Sequence, residues 1–305
     1  MKVAISLSEE ARTEYDPNAR GHGAGYMDSR CLADAFVKRG HDLGVVHPSD
    51  IFCKQGKLYA RKIYAFNKGV FSISQRDTML SGDVFFVYSL NEERGLDSSI
   101  RFIDFLYPMA TQFNLVLNSA ESTSYEYKPK QKKLNLPWIP DFDVQTAKDL
   151  SDLVASGEKI IAKPKIGACS QGIVFLEDVR DIKKIEDVHQ FIFERYVPNQ
   201  EERRYVFLDN QCIIQRKIKK EGAPGEERCT NVDLMEGPKK ELELARQIVS
   251  SLGMFYAAVD FRGEYLLEIN GSGTGVSPIT AEGEMDAYNI SSPIVQAVER
   301  KLKKQ

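Results

Sequence analysis

The chain has 305 residues, 42% hydrophobic and 28% charged, with 41 basic and 44 acidic side chains and a net charge of -3. That length exceeds what one hydrophobic core usually serves and argues for two or three units. The near-neutral balance excludes a general pull toward nucleic acid or membrane.

Cys31, Cys53, Cys169, Cys212 and Cys229 are odd in number and contain no C-x-x-C pair, which argues against a disulfide framework or zinc site and for a reducing, cytoplasmic setting. The opening apolar run, Val3 to Leu7, has the length of a buried strand rather than a signal peptide core. A helix follows over Ser29 to Arg39, with Gly40 as its C-terminal cap. Gly21, Gly23 and Gly25 precede it without forming G-x-G-x-x-G and read as a loop. Asp42 to His47 is the next strand. Asp83 to Tyr88, a helix over Ser98 to Ala110 and Asn114 to Leu117 continue the alternation, which predicts an open, mostly parallel sheet. Polar Ser119 to Lys133 reads as a linker, and Leu136-Pro137-Trp138-Ile139-Pro140 enters a new unit. Strands follow at Lys159 to Ala162, Ile173 to Leu176, Phe191 to Glu194, Arg204 to Leu208 and Gln211 to Lys217, the last three antiparallel. A helix from Pro238 to Leu252 is apolar at Leu242, Ala245, Ile248, Val249 and Leu252. Phe255 to Asn270 reads as a hairpin, and Ser292-Pro293 as the N-cap and first turn of a final helix.

Three segments carry chemistry. In Asp260-Phe261-Arg262-Gly263-Glu264-Tyr265-Leu266-Leu267-Glu268-Ile269-Asn270, alternation puts Glu268 and Asn270 on one face of a strand. A three-residue turn pairs Asp260 with Leu266 and brings it to that face; a two-residue turn sends it to the other. On the first geometry, two carboxylates and an amide oxygen converge as a hard donor set suited to Mg²⁺ in a nucleotide site. The plain alternative, a solvated face, leaves acids inside apolar strands unexplained. The second segment is Ile160 to Leu176. Lys163 ends a buried strand as a point charge for phosphate, and Gly167, Ala168, Ser170 and Gly172 let backbone N–H groups approach an anion. By itself this also fits an ordinary hairpin loop. The third is Phe191 to Pro198 with Glu202-Arg203-Arg204, where a strand leaving its sheet exposes backbone to a base edge, an acid can hold ribose hydroxyls and Arg204 can face phosphate. Among the basic residues that follow, Arg216 and Arg228, with Asn231, are candidates to hold an anionic substrate.

In this order the segments resemble bacterial-type glutathione synthetase of the ATP-grasp superfamily over nearly the whole chain. The likeness runs through Arg39-Gly40-His41, Ile161-Ala162-Lys163-Pro164, Glu194-Arg195-Tyr196-Val197-Pro198, Glu202-Arg203-Arg204, Asp260, and Leu267-Glu268-Ile269-Asn270 with its tail from Gly271 to Gly275. The resemblance implies an α/β fold, α+β in its C-terminal part: a parallel-sheet domain over 1–118, an ATP-grasp small lobe over 119–190 and a large lobe over 191–305. It implies ATP and two Mg²⁺ ions, with Mn²⁺ as the alternative. Lys163 and Lys128 (or Lys130) would bind phosphates, Tyr196 and Val197 adenine through backbone, and Glu202 ribose, with Glu194 in the same nucleotide set. Asp260, Glu268 and Asn270 would hold the ions. Arg216, Arg204 and Arg228 would be catalytic, and Asn231 with Ser272, Gly273, Thr274 and Gly275 would bind substrate.

The implied activity is ATP-dependent amide formation between a carboxylate and an amine through an acyl-phosphate, in a homo-oligomer acting on small amino acids or peptides. The competing readings are a ligase that modifies a protein or natural-product precursor and a non-catalytic ATP-binding module. The chain departs from the synthetase at Ala168-Cys169, at Tyr88 to Glu92 and at Asn231 to Gly237, so the nucleotide half is kept and the peptide half is rewritten.

Overall fold

The computed structural model describes residues 1–6, 24–67, 70–87, 111–165, 172–198, 201–221, 228–271 and 290–304. The expected helix over Ser98 to Ala110 lies outside them.

Four strands of the first sheet run parallel: β1 (Lys2–Ser6), β2 (Asp42–Val46), β8 (Gly82–Val87) and β9 (Phe113–Leu117). Val84 to Val87 are all buried, as expected of a central strand covered on both faces. A hairpin of β5 (Ile63–Asn67) and β6 (Val70–Ser74) adds antiparallel to β2, giving the order β6-β5-β2-β1-β8-β9. Helix α1 (Ala24–Lys38) starts before the predicted Ser29 and includes Gly25, so tertiary context overrides glycine's weak helix propensity. Gly40, at φ +77°, ends it as predicted. An unpredicted small sheet, β3 (Ile51–Lys54), β4 (Lys57–Ala60) and β7 (Thr78–Met79), lies in the same third of the chain.

The segment expected to be a linker folds into two short helices, α2 (Ala120–Thr123) and α3 (Lys128–Lys132). A four-stranded sheet follows, with order β10-β13-β11-β12, made from β10 (Asp141–Phe142), β11 (Ile160–Pro164), β12 (Val174–Leu176) and β13 (Phe191–Arg195). Helix α4 (Ala147–Ala155) covers it through Leu150 and Val154. The last sheet is antiparallel, in the order β16-β15-β14-β17-β18. Its strands are β14 (Glu201–Leu208), β15 (Gln211–Glu221), β16 (Arg228–Leu234), β17 (Tyr256–Arg262) and β18 (Tyr265–Asn270).

Alternation gives this last sheet two different faces. Tyr205, Phe207, Val259 and Phe261 pack under Ala245, Ile248 and Val249 of helix α5 (Lys239–Ser251). On the other face, Val206, Leu208, Ile214 and Ala258 join a core with Phe36 of α1 and Ile294, Val295 and Val298 of helix α6 (Ser291–Leu302). Helix α6 starts two residues earlier than predicted; Ile290, not Ser292, is its N-cap and no side chain caps it. The outer edge of β18 is covered by the former linker. Gln131 bonds both the N–H and the C=O of Ile269, at 3.1 and 2.7 Å. Leu266 N donates to the Pro137 carbonyl at 2.8 Å. Asn118 accepts from Phe255 N at 2.7 Å and donates to the Tyr256 carbonyl at 2.8 Å. These bonds satisfy edge groups that would otherwise be left for another chain. Among the described residues, no helix is long and apolar enough to cross a membrane.

Candidate active site

The β17–β18 hairpin turns on two residues, not three. Arg262 pairs with Tyr265, and Gly263 takes φ +61° at the first turn position, which glycine adopts without steric cost. Phe261, rather than Asp260, then lies opposite Leu266. A two-residue turn should send Asp260 to the wrong face, but Leu267 is an extra residue in β18. The register shifts there, and Asp260 comes directly opposite Glu268. The bulge therefore restores the expected convergence by a route the turn alone does not provide.

Register extends this pair into a charged row across four strands, Arg216–Arg204–Asp260–Glu268. Arg204 grips Asp260 bidentately, Nε to Oδ1 and Nη2 to Oδ2, both at 2.7 Å. Asn270 Nδ2 donates to Asp260 Oδ2 at 3.1 Å. Asp260 is buried at 3% exposure. Burial pushes its carboxyl above the usual range, and Glu268 and Glu202 add to that push against the pull of Arg204. A buried, crowded carboxylate of this kind requires positive charge beside it, and the Arg204 guanidinium stands where that charge is needed. Among the described residues no three His, Cys, Asp or Glu side chains converge as a metal group. Asp260, Glu268 and Asn270 present two carboxylates and one amide, hard donors of the kind that would suit Mg²⁺.

Lysines gather on the other side. Lys163, in β11, lies 2.5 Å from Glu194 Oε2, and Lys132 Nζ lies 2.7 Å from Glu194 Oε1. Glu194 is 2% exposed. Burial works against its charge, but the two ammonium groups prevail and hold its carboxyl below the usual range. Helix α3 separates the candidate phosphate lysines. Lys128 is buried with its Nζ 3.8 Å from Glu268 Oε1. Lys130 turns away to Glu121 at 2.7 Å and over the Tyr125 ring at 4.2 Å. Lys128 thus faces the acid row while Lys132, one helical turn on, faces Lys163 and Glu194. Sequence reasoning missed Lys132, although its i,i+4 spacing from Lys128 puts both on one helix face.

No protein-family profile matches the chain, and no curated protein sequence matches it. Solved structures do. The ATP-grasp ligase PsnB, complexed with a phosphomimetic variant of a minimal precursor, Mg and ADP, shares 14% identity over 98% of both chains with a TM-score of 0.64. D-alanyl-alanine synthetase A from Vibrio cholerae shares 13% identity over 100% of this chain and 99% of that one, with a TM-score of 0.63. The macrocyclase MdnC from Microcystis aeruginosa, bound to precursor peptide MdnA, shares 13% identity over 100% of both chains, with a TM-score of 0.58. This chain has the ATP-grasp fold.

Within that fold the other expected site residues fall into three groups. Tyr196 and Val197 follow the end of β13, on the crossing from the four-stranded sheet to the five-stranded one. Tyr196 N donates to the Lys159 carbonyl at 2.8 Å, and its ring meets Phe175 edge-on at 4.9 Å. Glu202 is buried and accepts from Arg262 Nε at 3.1 Å and Nη2 at 2.5 Å, so its carboxylate is already engaged on the same sheet face as Asp260. Gly172, at φ +70°, lies so close to Pro164 that an added Cβ would meet its Cγ at 3.0 Å. Asn231 and Arg228 are placed by backbone only, opposite Lys219 and Glu221. Leu234 is the β16 residue opposite Arg216, so Asn231 lies about 10 Å and Arg228 about 20 Å along the strand from the charged row. The register therefore keeps Arg216 in the row and does not bring the Arg228 backbone beside it. Gly167, Ser170, Ser272, Gly273, Thr274 and Gly275 lie outside the described residues. Gly271, just before the last group, is anchored by its N–H to Glu126 Oε1 at 2.6 Å.

Proposed function

We propose that this chain is an ATP-dependent ligase that joins a carboxylate to an amine and releases ADP and phosphate. The observation that carries the reading is the row Arg204–Asp260–Glu268 on one sheet, with α3 bringing Lys128 to that row and Lys132 to the Lys163–Glu194 pair of another sheet. Carboxylates for a cation and ammonium groups for phosphates on opposed elements suit phosphoryl transfer, where positioning and charge neutralisation do most of the work. The donor set fits Mg²⁺, which supplies neutralisation of the phosphate charge as the terminal phosphoryl group moves to the substrate carboxylate.

In this reading Asp260, Glu268 and Asn270 hold two ions, and Lys128 and Lys163 hold phosphate oxygens. Glu194 and Lys132 fix the Lys163 ammonium. Tyr196 and Val197 offer backbone to the adenine and Glu202 lies toward the ribose. Arg204 and Arg216, in one row, face the acyl-phosphate and the oxyanion formed when the amine attacks. The amide groups of Ser272 to Gly275 complete that cradle. Water is kept out because it would hydrolyse the activated acyl group.

A second reading concerns the substrate. PsnB and MdnC are solved with precursor peptides, which favours a polypeptide substrate over the free γ-glutamyl peptide of glutathione synthesis. The test is a screen of paired amino acids, dipeptides and acidic peptides, γ-glutamylcysteine with glycine included, scored by phosphate release and product mass. A product heavier by one condensation, formed with ADP, is expected. Asp260→Ala and Lys163→Ala should each lower ADP formation by about 100-fold or more while circular dichroism stays native. Full turnover in either folded variant would remove the assignment.

A further inference from the structure

Residues 51–80 contain six basic side chains and one acidic one, a net +5, in a chain whose total is -3; the remainder carries -8. Lys54, Lys57, Arg61 and Arg76 are exposed. Among the described residues none of these four, nor Lys62, makes an ion pair. Cations of the active site contrast with them: Lys132, Lys163, Arg204 and Arg262 each have a carboxylate partner.

The basic residues are set on a built surface. Phe52 pairs with Tyr59, and Tyr59 with Met79, so one face of the β3-β4-β7 sheet carries a row of three large side chains. The Phe52 and Tyr59 rings stack at 5.8 Å, and Lys54 and Lys57 pair one step along the same face. Arg61 stands 5.6 Å over the Phe52 ring. The opposite face, with Ile51, Leu58, Ala60 and Leu80, is the buried one. In the same segment β6 ends the six-stranded sheet, and among the described residues nothing pairs with its outer edge. Its sequence, Val-Phe-Ser-Ile-Ser, lacks the lysine or proline that usually blunts an open edge. Val70, at 68% exposure, Ile73 at 38% and Met79 at 42% are three of the four exposed large apolar side chains among the described residues.

We propose that this face and the β6 edge bind an acidic polypeptide segment in extended conformation. An incoming strand satisfies the main-chain groups of β6, its apolar side chains cover Ile73 on the face that Ile73 shares with Phe71, and its carboxylates meet the unpaired cations. Nucleic acid offers no N–H and C=O ladder to a strand edge. A second copy would bring another net +5 against the first. For the use made of the bound segment the inference rests on the ligase reading, in which the segment belongs to the polypeptide being ligated; the binding itself needs no nucleotide.

The test measures fluorescence anisotropy of the full chain, without ATP, against labelled peptides of about twelve residues with alternating Glu-Val or Lys-Val sequence. A single-stranded oligonucleotide serves as competitor. The acidic peptide should bind at least about tenfold tighter than the basic one and weaken as salt rises. The double variant Lys54→Glu/Lys57→Glu, at exposed positions, should lose about tenfold or more of that affinity, and Ile73→Asp should weaken it too. Asp260→Asn should leave it unchanged, so a failed ligase assay and a failed docking surface are told apart. Equal binding of the two peptides, an unaltered double variant, displacement by the oligonucleotide or a dimer that blocks the peptide would each overturn the proposal.

Discussion

Asp260 and Glu194 are each buried carboxylates, and each is paired with cations from another strand or helix. Their partners divide the lysines of α3 into two kinds. Lys132→Met should cost about 2 kcal/mol, since it removes a buried charged hydrogen bond, and should raise KM for ATP because Glu194 no longer holds Lys163 in place. Lys130→Met, whose partner Glu121 has a side chain 63% exposed, should change stability by less than about 0.5 kcal/mol. Thermal melts and steady-state kinetics check both, and equal effects would contradict the division. The acids and Lys163 were legible in the sequence because charged residues inside apolar strands stand out; Lys128, in a polar stretch, came only from the family resemblance, with Lys130 as its alternative. Lys132 and its pairing with Glu194 were not, because the two residues are 62 positions apart and only the packing of α3 against β13 brings them together. The face shared by Asp260 and Glu268 was legible too, but its cause was not. A bulge at Leu267 leaves no mark in hydrophobic periodicity.

At the scale of elements, α1 and α6 are joined at the surface by Glu299. Its carboxylate accepts from Arg39 Nε at 2.9 Å and Nη2 at 2.6 Å and contacts His41 Nε2 at 2.8 Å. Hydrogen bonds from Arg39, with His41 adding to them, lower the carboxyl from 4.5 to about 2. A depressed acid stabilises the fold above its unfolded value and loses that contribution as pH falls through its folded one. The clamp should therefore be fully present above pH 4.5 and fade toward about pH 2. Thermal midpoints across that window should fall less steeply for Glu299→Gln than for the native chain; parallel slopes would contradict the clamp. Helices α5 and α6 and the β17–β18 hairpin were readable from amphipathic spacing and turn residues. The stretch from Ser119 to Lys133 was not, because its polar side chains bond the edge of β18 rather than solvent. Nor was the β3-β4-β7 sheet, whose short strands carry as many charges as a loop.

Across the whole molecule, the parallel sheet predicted from strand–helix alternation is present, with β9 leading directly into the α2–α3 segment that spans to the last sheet. That segment connects three of the four sheets: it continues from β9 of the first, Asn118 ties it to β17 and Gln131 to β18 of the last, and Lys132 ties it to β13. Helix α3 thus links the acid row to the Lys163–Glu194 pair, and the proposed chemistry requires a magnesium–nucleotide complex bound between them. The affinity of the intact chain for ATP, titrated by calorimetry with and without Mg²⁺, tests this most directly. The native chain should bind ATP more tightly when Mg²⁺ is present. Asp260→Asn should keep metal-free binding and lose the gain from Mg²⁺, and Lys163→Met should weaken binding in both conditions. A native chain whose ATP affinity ignores Mg²⁺, or an Asp260→Asn variant that keeps the full gain, would contradict the account.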